Sequence, residues 1–188
     1  METLPSAFTL ADAREAGFSK DRIYTLLAAG EIERLGRGVF VKANTLDPSL
    51  EPLAAATAIH PLSTMCLASA LIRHGLSDDI PTGTDIALPR GTRHPAGFEH
   101  VTWRSFDQAT FQIGREPLDG AEGLFIYSPE RTIIDSFRLA YREGTAAANE
   151  ALKRWLRRRG NHPSKLLDMA RSFPKAYPSL HSALEVLV

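Results

Sequence analysis

The chain has one cysteine, Cys66, in 188 residues, which excludes an intramolecular disulfide and fits a reducing compartment. No apolar run approaches the roughly 20 residues that cross a bilayer. The N-terminus has neither the basic start nor the apolar core of a secretory signal, so a cytoplasmic protein with no membrane partner is expected. There is no Gly-rich phosphate loop, and no close pair of carboxylates follows a Gly-Ser turn as a nucleotidyl-transfer site requires. The six histidines (His60, His74, His94, His100, His162 and His181) show no i, i+4 ligand spacing. No metal site, no other cofactor and no catalytic residue is therefore expected. Net charge is missing too, with 22 Lys and Arg against 22 Asp and Glu.

That neutrality is uneven. Residues 1–44 are neutral, 45–130 carry −6 and 131–188 carry +6. Segments of opposite sign either neutralise each other within one fold or leave a basic surface for a partner. Apolar content of 44% and charged content of 23% are ordinary globular values, without repeats or low-complexity tracts. The length suits a small domain of about 45 residues and a larger one with its own core. We read residues 1–44 as the first domain, 45–52 (polar, with Pro48 and Pro52) as a linker, and 53–188 as the second domain. Cys66, among Met65, Leu67 and Leu71, reads as a buried packing residue.

Residues Phe8 to Val41 carry the most information. Thr9 is an N-cap for a helix from Leu10 to Ala16, Gly17 ends it, and Ser19 caps a second helix to Ala29 that Gly30 closes. Ile32, Leu35, Val39 and Val41 then flank Gly36-Arg37-Gly38, the composition of a hairpin whose tip leaves Arg37 nothing to pack on. Helix, turn, helix and hairpin in that order make a winged helix-turn-helix, a DNA-reading module. In the second helix Ile23, Leu26 and Leu27 form an inward stripe, with Lys20, Asp21 and Tyr24 away from it. Ser19, Lys20, Arg22 and Tyr24 are the candidates for the major groove, and Arg34 and Arg37 on the wing for phosphates or the minor groove. Between Gly17 and Lys42 the net charge is only +2. This weak footprint predicts binding that depends on two copies or two half-sites.

In the second domain, helices are expected over Leu53 to Ile59 and Ser63 to His74, then short strands at Asp85 to Leu88, Glu99 to Arg104 and Gly123 to Tyr127. Ser128 as N-cap and Pro129 at the first helical position open a helix to Tyr141. Thr145 caps a longer one to Arg159, with Ala148, Ala151, Leu152, Trp155 and Leu156 inward. Helices at Pro163 to Ser172 and Pro178 to Leu187 complete the chain. The fold class is α+β: a winged helix-turn-helix, then a mixed α/β domain with a small sheet and a helical C-terminal part. Arg154, Arg157 and Arg158 are a possible partner or DNA surface. The alternative is a solvated helix face with Trp155 in the core.

Gly17-Phe18-Ser19, Arg22, Leu27-Ala28-Ala29-Gly30-Glu31-Ile32 and Arg34 to Phe40 together resemble the N-terminal winged helix-turn-helix of AbiEi antitoxins. Asp85 to Gly91 resembles a strand and turn of that family's C-terminal domain, and Ser128 to Asp135 its strand-to-helix junction. The resemblance implies a repressor that binds inverted repeats in its own promoter DNA through the N-terminal domain. It also implies neutralisation of a cognate AbiEii-type nucleotidyltransferase toxin through the C-terminal domain, with direct contact varying among members. One departure is that relatives commonly carry a helix before the region of Thr9, where only Met1 to Ala7, with Pro5, stand here. Some relatives continue into an endonuclease-like extension, but Glu99-His100-Val101 lacks the lysine that such a site places beside its carboxylates, and no enzyme is expected. A one-component winged-helix regulator with a ligand-sensing second domain is the alternative function.

Overall fold

The computed structural model describes residues 4–187. Its first layer is a three-stranded antiparallel sheet with two short helices. The order is β1 (Ala7–Thr9), α1 (Leu10–Glu15), α2 (Lys20–Ala28), β2 (Ile32–Gly36) and β3 (Val39–Lys42), with β3 central. The polar residues that start the helices do so as their chemistry dictates. Thr9 and Asp12 form a reciprocal capping box on α1, and the Ser19 hydroxyl accepts from the Arg22 amide at 3.2 Å on α2, each satisfying amides that the first helical turn leaves without partners. Gly17 and Gly30 take positive φ at the two helix ends, where a side chain would be strained.

What precedes α1 is a strand. Ala7, Phe8 and Thr9 pair with Val41, Phe40 and Val39, which covers an otherwise open edge of β3. Leu4 and Phe8 join Ala13, Ile23, Leu26, Ile32 and Phe40 in the small core. The other face of the sheet is covered by α3 (Glu51–Ile59), whose Ala55 and Ile59 pack with Val39 and Val41.

The second sheet has five strands. Its β4 (Thr64–Met65) and β5 (Thr84–Pro89) are antiparallel. β6 (Val101–Phe106) runs parallel to β5, β8 (Phe125–Tyr127) runs parallel to β4, and β7 (Arg115–Pro117) is antiparallel to β8, giving the order β6-β5-β4-β8-β7 across the sheet. The helix expected over Ser63 to His74 is therefore split. Thr64 and Met65 form the central strand, Met65 pairing with Ile86 on one side and Ile126 on the other, and only Leu67–Arg73 is helical (α4). Pairing on two edges outweighs the helical preference of so short a segment.

Helices pack behind this sheet: α5 (Pro129–Arg138), α6 (Ala140–Glu143), α7 (Thr145–Leu156), α8 (Pro163–Ala170) and α9 (Tyr177–Leu187). The helix expected to run unbroken to Tyr141 breaks at Leu139, which packs against the separate cluster of Cys66, Phe106 and Tyr127. Thr145 is the first residue of α7 rather than its cap, which is Gly144 at φ 85°. The same helix stops at Leu156, short of Arg159, because the Asn161 side chain takes the Trp155 carbonyl at 2.8 Å. Its Ala148, Ala151, Leu152 and Trp155 are buried as the spacing requires, while Leu156 is half-buried. Cys66 is buried, and that burial pushes its thiol well above the ordinary range.

The junction from β8 to α5 is built around a buried cation. Ser128 caps α5 through the Arg131 amide, and the Arg131 guanidinium is fully buried. Its Nε donates to Asp135 Oδ2 at 2.9 Å and its Nη1 to the carbonyls of Thr110 and Ile113 at 2.7 and 2.6 Å. Its central carbon lies 4.3 Å from the Tyr127 ring centroid and 4.4 Å from that of Phe173. Arg138 takes the second Asp135 oxygen at 2.8 Å. A Cβ on Gly114 would stand 2.6 Å from that of Arg131, so the loop before β7 can close over the arginine only with glycine there.

Candidate nucleic-acid interface

Helix α2 presents one packed face and one open face. Ile23 and Leu26 are buried and Leu27 is half-buried, whereas Ser19, Lys20, Asp21, Arg22, Tyr24 and Thr25 are exposed. Nine residues at 1.5 Å each give a rod of about 13 Å, matched to a major groove about 12 Å wide. Lys20 Nζ lies 5.8 Å from the Tyr24 ring, a contact that gathers the cation and the half-exposed phenol at one end of the face. The Ser19 hydroxyl is committed to its cap but stays exposed.

The wing adds two arginines of different standing. Arg34 folds back along its own hairpin, Nε donating to the Gly36 carbonyl at 3.2 Å, next to the register shift between Arg34 and Gly36. The Arg37 side chain is exposed and, among the described residues, has no ion-pair partner.

The tip itself does have something to pack on, contrary to the expectation from sequence. The Arg37 amide donates to the Ala96 carbonyl at 3.3 Å. Gly36 is buried against Phe98, whose ring would lie 2.6 Å from a Cβ placed there. Phe98 in turn stands edge-on to Trp103 of β6, centroids 5.3 Å apart. The connection between β5 and β6 thus braces the wing, and only the Arg37 side chain is left outward. Because the contact joins segments far apart in the chain, local composition at the hairpin carries no sign of it.

The basic run on α7 divides. Arg154 is held by Asp78 at 2.7 Å and Glu150 at 3.0 Å, and Arg158 Nη2 donates to the His74 and Gly75 carbonyls at 2.6 and 2.9 Å. Both therefore tie the positive C-terminal segment to the negative middle one, while Arg157 is exposed and Trp155 buried. His74 is itself partly buried, its Nε2 2.7 Å from the Tyr127 carbonyl, and burial holds its pKa below the ordinary histidine value. Elsewhere a cleft of about 620 Å³ is lined by Leu50, Met65, Ile72, Arg73 and His100 among others. Among the described residues no group of three His, Cys, Asp or Glu could hold a metal ion, and no helix is long and apolar enough to cross a membrane.

Over the whole length the architecture is similar to that of the crystal structure of the RV2827C protein from Mycobacterium tuberculosis, with a TM-score of 0.53 at 19% identity, covering 96% of this chain and 76% of that one. No curated protein matches the chain in sequence. The family match falls where the open helix face and the wing lie: residues 4–41, which hold β1, α1, α2, β2 and most of β3, match the family described as transcriptional regulator, AbiEi antitoxin.

Proposed function

We propose that the chain is a DNA-binding antitoxin of the AbiEi kind, which represses its own operon and neutralises a cognate nucleotidyltransferase toxin. The observation that carries the reading is the exposed Lys20, Arg22 and Tyr24 face of α2 beside the outward Arg37, within the segment matched to the regulator family. Lys20, Arg22 and Tyr24 meet base edges, and Arg34 and Arg37 hold the backbone. Each copy makes few phosphate contacts, so operators with inverted repeats are engaged by two copies. Residues 1–44 form the DNA-binding unit and residues 53–188 the neutralising one.

The test of DNA binding is the salt dependence of affinity for the native upstream region. Arg37→Ala weakens binding to all sequences and lowers the slope of log Kobs against log salt by about one unit; an unchanged slope takes Arg37 off the DNA. Neutralisation is tested by co-expressing the full chain with the product of the adjacent gene. Growth resumes if the reading holds, and arrest that persists at matched expression counts against it.

A second reading, a one-component regulator, draws on the 620 Å³ cleft, a volume within the usual range for small ligands. It is distinguished by operator affinity that changes with a small molecule in the absence of any toxin.

A further inference from the structure

We infer that the crossover loop between β5 and β6, residues 90–100, is a second DNA-contacting element with Arg93 as its phosphate ligand; this rests on the DNA-binding reading above. The two strands are parallel, yet their connection carries no helix or strand. Parallel strands are usually joined by a crossover helix, and here a bare loop takes its place. It carries two arginines, Arg90 and Arg93, against the single carboxylate of Glu99.

The loop is fixed on both sides of Arg93. His94 Nε2 lies 3.0 Å from Ser105 Oγ and its ring stacks on Trp103, while Arg90 pairs with Asp107 at 3.4 Å. Farther along, the Ala96 carbonyl accepts from the Arg37 amide. Three residues of chain span at most about 11 Å, so Arg93 is held within that distance of the contact to the wing tip. Arg93 is exposed and, among the described residues, has no ion-pair partner. Duplex DNA carries a charge every 1.7 Å or so of axis, and a backbone gripped by Arg37 therefore offers further phosphates within reach of Arg93. The second domain thereby supplies a cation that the weakly charged winged helix lacks.

The experiment compares wild type, Arg37→Ala, Arg93→Ala and Arg93→Glu in the full chain, measuring affinity for the upstream duplex across a salt series and the melting midpoint of each protein. Arg93→Ala is expected to lower the salt slope by about 0.9, and Arg93→Glu to weaken binding further, both at the wild-type midpoint. Wild-type slopes for both Arg93 variants, with Arg37→Ala still lowering the slope, overturn the inference and leave the wing on the DNA. No binding by wild type at low salt overturns the reading beneath it.

Discussion

Replacing Arg131 with Met lowers the unfolding free energy by about 3–5 kcal/mol, the usual cost of removing one partner from a buried ion pair. The methionine fills much of the volume but strands two acceptors, the Asp135 oxygen that took Nε and the Ile113 carbonyl that took Nη1, while the Thr110 carbonyl keeps only the Ile113 amide. Burial already pushes the Asp135 pKa up and Arg131 is the chief influence holding it down, so the carboxyl left with Arg138 alone is penalised whether it stays charged or takes a proton, and a buried carbonyl without a donor costs about 1–3 kcal/mol. Against a total stability of about 5–15 kcal/mol for a globular domain, the loss is a large fraction of what holds the second domain together. Urea denaturation of the single variant and of Arg131→Met combined with Asp135→Leu separates the causes. The double variant recovers part of the loss, because its pocket no longer contains a buried carboxyl with one oxygen lacking a donor. A single variant within 1 kcal/mol of wild type would sink the assignment of Arg131 as the keystone of this junction.

Which parts of this architecture were readable follows from the range of the interactions that make them. The starts of α1, α2 and α5 depend on side chains within three residues of the amides they satisfy, so Thr9, Ser19 and Ser128 announce them. The inward stripe of α2 depends only on helical period. By contrast, β4 is two residues long and exists because β5 and β8 flank it, a fact no local window contains. Arg131 follows Glu130 in a first helical turn, a position that does not by itself mark it as buried. The overlooked signal was Asp135 four positions on, between them the apolar pair Ile133-Ile134, since an i, i+4 ion pair inside a buried helix face is its own partnered unit. On the site side, the open face of α2 was legible because it is the complement of the apolar stripe. The brace on the wing was not, since Ala96 and Phe98 come to Gly36 and Arg37 only through the tertiary fold.

The double substitution Lys20→Ala with Arg22→Ala is expected to reduce operator affinity by about 30-fold or more at fixed salt, since each specific base contact contributes roughly 1–3 kcal/mol. Both side chains are exposed on α2, and neither contributes to the small core of Leu4, Phe8, Ala13, Ile23, Leu26, Ile32 and Phe40, so folding is untouched and the melting midpoint stays at wild type. The Ser19 cap is also preserved, because it binds the backbone amide of residue 22 and not its side chain. The two roles a cation can play separate in the single variants. A residue that reads a base relaxes specificity at one operator position, visible as a flattened preference there in a panel of single-base changes, whereas a phosphate ligand weakens every sequence alike and lowers the salt slope. Asp21 sits between them on the open side, where a carboxylate repels phosphate and tolerates a cytosine amino group. Asp21→Asn is thus expected to raise affinity for unrelated duplexes more than for the operator, which narrows discrimination. Full operator affinity in the double variant would remove α2 from the groove, whatever the wing does.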